Sequence, residues 1–333
     1  MTQVIGELGE KTLLREILIP LVNPTDDPSL AGDDSGMFDI SDGYSICAST
    51  DRVPWDLTAF RTGVMSEYDL GYYLAALNVS DIAAMGATPR GLLLNFALPA
   101  TFPVDSLTAI VRGVLAGAEE FGASVLGGDL SDAPEPSLCA TSLGTVRRTR
   151  CLRRRGATVG DRIYVTGPFG IGAAALRYFF DGPPPGRSLA ASDESALRQA
   201  FRRPVPRLST GQLLARSGAR VTAMDNTDGI GQSLFELASI NSAGYVVDRD
   251  DVPLHPLVIA VADLFGDDPF DLAMGPGADF NLVGTIDDVR IARNAGLHVI
   301  GVVCDGHGLS VSSASATRTF TPHGWNYFQR VRP

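Results

Sequence analysis

Apolar positions along this chain change their spacing from segment to segment, and the changes mark its elements. Leu13, Leu14, Ile17, Leu18 and Leu21 recur at helical intervals, predicting a short amphipathic helix over residues 10–21 that ends near Pro20. Tyr44 to Thr50 alternate as a strand does, and the strand delivers Ser49, Thr50 and Asp51 at its end. Leu70 to Gly86 is apolar and alanine-rich almost throughout, so it reads as a buried helix rather than a surface one. Its one carboxylate is Asp81. A turn at Ala87-Thr88-Pro89-Arg90-Gly91 leads to a strand from Leu92 to Leu98. Residues 104–121 have helical periodicity, Ser124 to Leu126 form a short apolar strand running into Gly127-Gly128-Asp129, and Leu138 to Val146 alternate again.

The pattern then restarts. Ile163 to Thr166 reads as a strand, and Gly167-Pro168-Phe169-Gly170-Ile171-Gly172 opens a helix in the manner of a loose phosphate loop, its third glycine misplaced for a dinucleotide fingerprint. Residues 181–191, rich in Pro, Gly and Ser, read as a surface loop. Val221 to Met224 forms a strand feeding Asp225-Asn226-Thr227-Asp228-Gly229, after which a helix runs to Asn241. An α/β (α+β) arrangement used twice fits this order. A length of 333 residues favours two cores over one. The arginine-rich run from Arg147 to Arg155 marks the change of composition, giving an N-terminal domain over residues 1–147 and a C-terminal α/β domain over 148–333. Most of those arginines read as a solvated face.

Composition removes several classes of function. Hydrophobic residues make up 45% of the chain and charged residues 20%, an ordinary globular balance. No apolar run has membrane-spanning length and the first twenty residues do not resemble a signal peptide, so a cytoplasmic protein without a membrane partner is expected. The four cysteines are scattered, without the spacing of a zinc site or a disulfide framework. A net charge of −11 argues against nucleic acid as a partner, while leaving room for a small anionic ligand received by local arginines or cations. Lys11 is the only lysine, which excludes mechanisms needing one elsewhere. Gly9-Glu10-Lys11-Thr12 mimics the end of a P-loop, but the glycine required before the lysine is Glu10. The four histidines all lie in the last third, without metal-binding spacing.

The candidate chemistry is acidic. Asp81 in an apolar helix needs a paired base or a bound cation, and no basic residue lies between Arg61 and Arg90. Each other motif has a plain structural reading: Gly32-Asp33-Asp34-Ser35-Gly36 as an Asp-Gly turn, Asp51 as a strand end, Asp225 and Asp228 as helix caps. As a set, Asp34, Asp51, Asp81, Asp129, Asp225 and Asp228 suit a magnesium–nucleotide site, because magnesium takes a few carboxylates and leaves its other positions to water and phosphate.

With Asn78-Val79-Ser80-Asp81-Ile82-Ala83-Ala84-Met85-Gly86, the Asp34, Asp51 and Gly127-Gly128-Asp129 motifs, Arg154-Arg155-Gly156 and Met224-Asp225-Asn226-Thr227-Asp228-Gly229, the chain resembles the thiamine-monophosphate kinase family over nearly its whole length. That family shares a superfamily with aminoimidazole-ribonucleotide synthetase, selenophosphate synthetase and a hydrogenase-maturation ATPase. The resemblance implies an N-terminal domain that dimerises through its sheet, a C-terminal α/β domain, and ATP in the cleft between them. It implies magnesium on Asp34, Thr50, Asp51, Asp81, Asp129, Asp225 and Asp228, with Asp81, Asp225 and Asp228 the catalytic positions. Gly128, Asp129, Arg154 and Thr227 would contact ATP. Thr58, Ala278 and Trp325 fall at substrate positions. Two of these depart from the family pattern: Thr58 stands where a histidine is expected, and Ala278 where a glutamate is. Three activities are therefore compared. These are phosphoryl transfer from ATP to thiamine phosphate, ATP-dependent chemistry on a different small metabolite, and a catalytically silent nucleotide-binding protein.

Overall fold

A computed structural model describes residues 5–25, 27, 32–314 and 316–322. Two sheets organise the chain. The first has strand order β1-β2-β5-β3-β4, made of β1 (Gly36–Asp39), β2 (Tyr44–Val53), β3 (Thr88–Leu98), β4 (Ser124–Asp132) and β5 (Ser137–Arg147). Its neighbours are antiparallel except β3 and β4, which run parallel. The second has the order β12-β11-β8-β10-β6-β9-β7, from β6 (Arg162–Val165), β7 (Val221–Asn226), β8 (Gly244–Asp248), β9 (Asn281–Ile286), β10 (His298–Cys304), β11 (Gly308–Ser312) and β12 (Thr317–Thr319). Only β8 and β11 are parallel in it.

The helix Glu67–Ala84 joins the two halves. A capping box starts it: the Ser66 hydroxyl accepts from the Asp69 amide while the Asp69 carboxylate accepts from the Ser66 amide. Gly86, with φ of 65°, ends it, because only a residue without a Cβ takes that left-handed turn cheaply. Between these ends it is buried on nearly all sides, packed against the helix Val104–Glu120, the first sheet, the helix Leu208–Arg216 and β7. Small residues permit this. A Cβ on Gly71 would lie 1.9 Å from the Ile110 carbonyl oxygen, and one on Gly113 1.9 Å from that of Tyr68. One hydrophobic cluster consequently runs through both halves, from Leu70 and Val79 to Phe280 and Val283.

The amino-terminal segment differs from its sequence reading. It consists of the helices Ile5–Leu8 and Glu10–Leu13, a π turn at Leu14–Leu18 and a last helical turn, Ile19–Val22. The chain passes through Pro20 instead of ending there. Pro20 has no amide hydrogen to give, and the widened turn ahead of it accommodates the missing bond. Leu14, Ile17, Leu18 and Leu21 are exposed rather than buried. Most of the six-arginine run is a solvated face as expected, Arg155 included. Arg147, Arg148 and Arg150 are exposed, whereas Arg153 and Arg154 turn inward to ion pairs described below.

Candidate active site

Strand alternation and one helix face bring the acidic groups together. Ser49 and Asp51 project from the same side of β2, toward the helix Glu67–Ala84. Tyr73, Leu77 and Asp81, four residues apart each time, form one stripe of that helix along the same cleft. Asp34 lies just before β1, and β7 delivers Asp225 from the second half. Carboxylate oxygens of Asp34, Asp81 and Asp225 lie within 4.8 Å of one another. They border a cleft of about 770 Å³ that is also lined by Lys11, Thr58, Arg154, Thr227, Asp228 and Ala278.

Neighbouring groups hold these carboxylates in place. Ser49 donates its hydroxyl to Asp81. The Asp51 amide donates to Asn78 Oδ1 at 3.2 Å. Arg154 grips Asp34 with two bonds, Nη2 to Oδ1 at 2.7 Å and Nε to Oδ2 at 3.1 Å. Beside it the Arg154 amide and the Arg153 guanidinium both donate to Asp33, at 2.7 and 3.0 Å. The segment joining the two sheets is thus fastened to the loop that carries Asp34.

The charge balance is unfavourable without a further cation. Burial, then the negative charge of Asp51, pushes the Asp81 carboxyl well above the ordinary carboxylate range. Burial, then Asp34, does the same to Asp225. Asp51 is raised as well, chiefly by burial. Among the cationic groups, Arg154 is drawn into the cluster and is held protonated against its burial by Asp34. Buried like charges this close are tolerated when a cation neutralises them, and an all-carboxylate oxygen donor set is what a hard divalent ion such as magnesium prefers. The residues present therefore fit that ion.

The structure places the expected residues as follows. Asp34, Asp51, Asp81, Asp225 and Asp228, with Arg154 and Thr227, lie on one cleft. Asp228 stands at its edge, 2.6 Å from Lys11 Nζ. Thr58 and Ala278 line the cleft too, near Leu57, Tyr73, Leu176, Phe180 and Phe201. Thr50 is on the opposite pleat from Ser49 and Asp51, its hydroxyl donating to the Ala140 carbonyl at 3.0 Å. Gly128 and Asp129 do not line the cleft of their own chain. They sit on β4, three strands from β2 and so about 14 Å away at ordinary strand spacing. Gly128 has a packing reason of its own, since a Cβ there would lie 2.0 Å from the Leu94 carbonyl oxygen. Trp325 falls outside the described residues.

The glycine loop at 167–172 is not free to take a phosphate. The Gly170 and Gly172 amides donate to the Asp279 carboxylate at 2.8 and 2.9 Å, so the chain supplies its own anion there. Burial raises Asp279 to about 6 despite those bonds. Sequence reasoning overlooked Ser49 and Asn78 as supports, although their spacing was available: Ser49 shares the β2 face of Asp51, and Asn78 precedes Asp81 by one helical turn. Lys11 carried no such signal.

Residues 32–146 match the family described as AIR synthase related protein, N-terminal domain. A thiamine-monophosphate kinase of Synechococcus elongatus is 31% identical over 84% of this chain and 82% of its own length. One from Methanopyrus kandleri is 32% identical over 86% of this chain and 88% of its own. The solved structure of AaThiL complexed with AMPPCP and TMP superposes with a TM-score of 0.86, covering 98% of this chain and 99% of that one at 24% identity, and shares the fold.

Proposed function

Because the chain belongs to the thiamine-monophosphate kinase family, we propose that its cleft transfers the γ-phosphoryl group of ATP to thiamine phosphate, giving thiamine diphosphate and ADP. The convergence of Asp34, Asp81 and Asp225 on one cleft carries this reading. The solved structure of the same fold is complexed with AMPPCP and TMP, two ligands together, in keeping with a two-substrate reaction. Asp34, Asp51, Asp81, Asp225 and Asp228 would hold magnesium, which neutralises phosphate charge when bound. The chain's own contribution is positioning. Arg154 fixes Asp34, Ser49 fixes Asp81, and Asn78 fixes the end of β2, so the carboxylates need not reorganise as charge moves. An acceptor phosphate monoester has a second pKa of about 6 and is largely deprotonated at neutral pH, so no histidine base is needed.

Residues 1–147 and 148–333 act in this reading as two domains closing one cleft. A second copy would complete it. Gly128 and Asp129 lie on an edge strand whose Leu126 and Leu130 are 56% and 63% exposed, and a homodimer through this face buries both leucines and lends Asp129 to the partner's cleft. No described helix is long and apolar enough to cross a membrane.

The deciding experiment is product formation from ATP, magnesium and thiamine phosphate, resolved by chromatography. Turnover on the order of 1 per second or faster supports the assignment. Binding of magnesium–ATP with no thiamine diphosphate formed shifts the reading to a different acceptor. Thr58, Ala278 and the apolar wall formed by Leu57, Leu176, Phe180 and Phe201 favour that second reading. Under it, Thr58→His with Ala278→Glu creates thiamine phosphate activity. Failure of the double variant to gain any counts against it. Hydrolysis or transfer of the γ-phosphate in any form disposes of a silent binding protein.

A further inference from the structure

Lys11 belongs to none of the roles above, yet it reaches the cleft. Its ammonium lies 2.6 Å from Asp228 and 3.2 Å from Glu236, partners more than two hundred residues away. The helix Glu10–Leu13 presents it, and Glu10, Leu14 and Arg15 line the cleft beside it. Asp228 stands immediately before the helix Ile230–Ile240 and Glu236 two turns along, so the ammonium bridges the mouth of the nucleotide half.

A polyphosphate entering this cleft meets many carboxylates, and the basic side chains lining it are Lys11, Arg15, Arg52, Arg154 and Arg155. Arg154 spends two of its five donors on Asp34 and is fixed there by that two-point grip. Arg15 is engaged with Glu16 at the surface. Lys11 differs in kind. An ammonium has three donors on a flexible stem, and Asp228 and Glu236 account for two of them. A phosphate oxygen can take the third without either ion pair breaking. The pair is also only partly buried, with 23% of the Lys11 side chain exposed, so the ammonium can shift without stranding a charge in a dry interior.

We propose that Lys11 is a phosphate-contacting residue of the nucleotide site, donating from the edge of the cleft to the polyphosphate of bound ATP. This rests on the nucleotide reading of the cleft. It gives a function to the sole lysine of the chain, supplied by a short helix and not by a phosphate loop. The competing role is purely structural, with Lys11 pinning the amino-terminal segment onto the second half.

Equilibrium binding of ATP and of AMP to the full chain separates the two, measured by competition with magnesium present and again in EDTA. Lys11→Met is expected to weaken ATP roughly ten- to hundredfold while leaving AMP unchanged. Lys11→Arg is expected to recover most of the loss. A melting temperature for each variant accounts for any effect on folding. Equal ATP affinity in Lys11→Met and the parent overturns the proposal, and so does a parallel loss of ATP and AMP, which signals a displaced helix. A parent protein that binds no ATP overturns instead the nucleotide reading on which the proposal rests.

Discussion

Replacing Arg154 with methionine tests the electrostatic account of the cleft most directly. Methionine keeps an unbranched stem but removes both bonds to Asp34, at 2.7 and 3.1 Å. Asp34 has a side chain only 1% exposed, and it would be left charged within 4.8 Å of carboxylate oxygens of Asp81 and Asp225. Breaking a buried pair by removing one partner costs about 3–5 kcal/mol. The hydrophobic cluster runs through both halves, so they are expected to melt together. For a chain of 333 residues the unfolding entropy is then about 0.7 kcal/mol per degree, and the loss corresponds to a fall of about 4–7 °C. The fall should be largest in EDTA. A divalent cation is an alternative counter-ion for Asp34, so added magnesium should raise the melting temperature of the variant by more than it raises that of the parent. Calorimetry in EDTA and across a magnesium titration reads both quantities. A fall below about 1 °C in EDTA, or the same magnesium response in both proteins, would refute the view that Arg154 is the standing counter-ion of this cluster.

Three further outcomes follow from other parts of the structure. Asp225→Asn should lower turnover about 100-fold or more. It should also raise the melting temperature of the metal-free protein, because it deletes a buried charge repelled by Asp34; a lower melting temperature in EDTA would contradict this. Asp279 has a folded pKa of about 6 against 3.8 unfolded, so the stability it contributes is full below about pH 3.8 and is lost as pH rises through about 6. Urea titrations of Asp279→Asn should therefore show a shallower decline over that window, by at most about 1.4 kcal/mol per pH unit, and an unchanged slope would count against the shift. Gly113→Ala should destabilise by about 3 kcal/mol despite alanine's helical preference, since its Cβ would lie 1.9 Å from the Tyr68 carbonyl oxygen and force two helices apart; a neutral result in denaturant melts would refute the close packing.

What could be read in the sequence is what depends on near neighbours. Alternation over Tyr44 to Thr50 marked the core of β2, and the apolar run from Leu70 to Gly86 marked the buried helix, because backbone periodicity is a local property. The acidic motifs were visible for the same reason, as carboxylates among small residues or at element ends. That they form a set was legible from their number and from the family resemblance, but which of them meet within one chain was not. Strand order places β4 three strands from β2, so Asp129 stands apart from Asp51 although each lies within a strand of the same sheet. By contrast, the turning of Thr50 away from Asp51 is a local consequence of strand alternation and was legible in the sequence. The glycine loop at 167–172 had the composition of an anion site, and only the tertiary fold revealed that Asp279 already fills it. Lys11 meets Asp228 across more than two hundred residues because the amino-terminal helix folds back onto the second half. No spacing in a sequence encodes such a contact. It arises from how the two sheets and the helix Glu67–Ala84 bury a common core, and that packing decides which charges share a cleft.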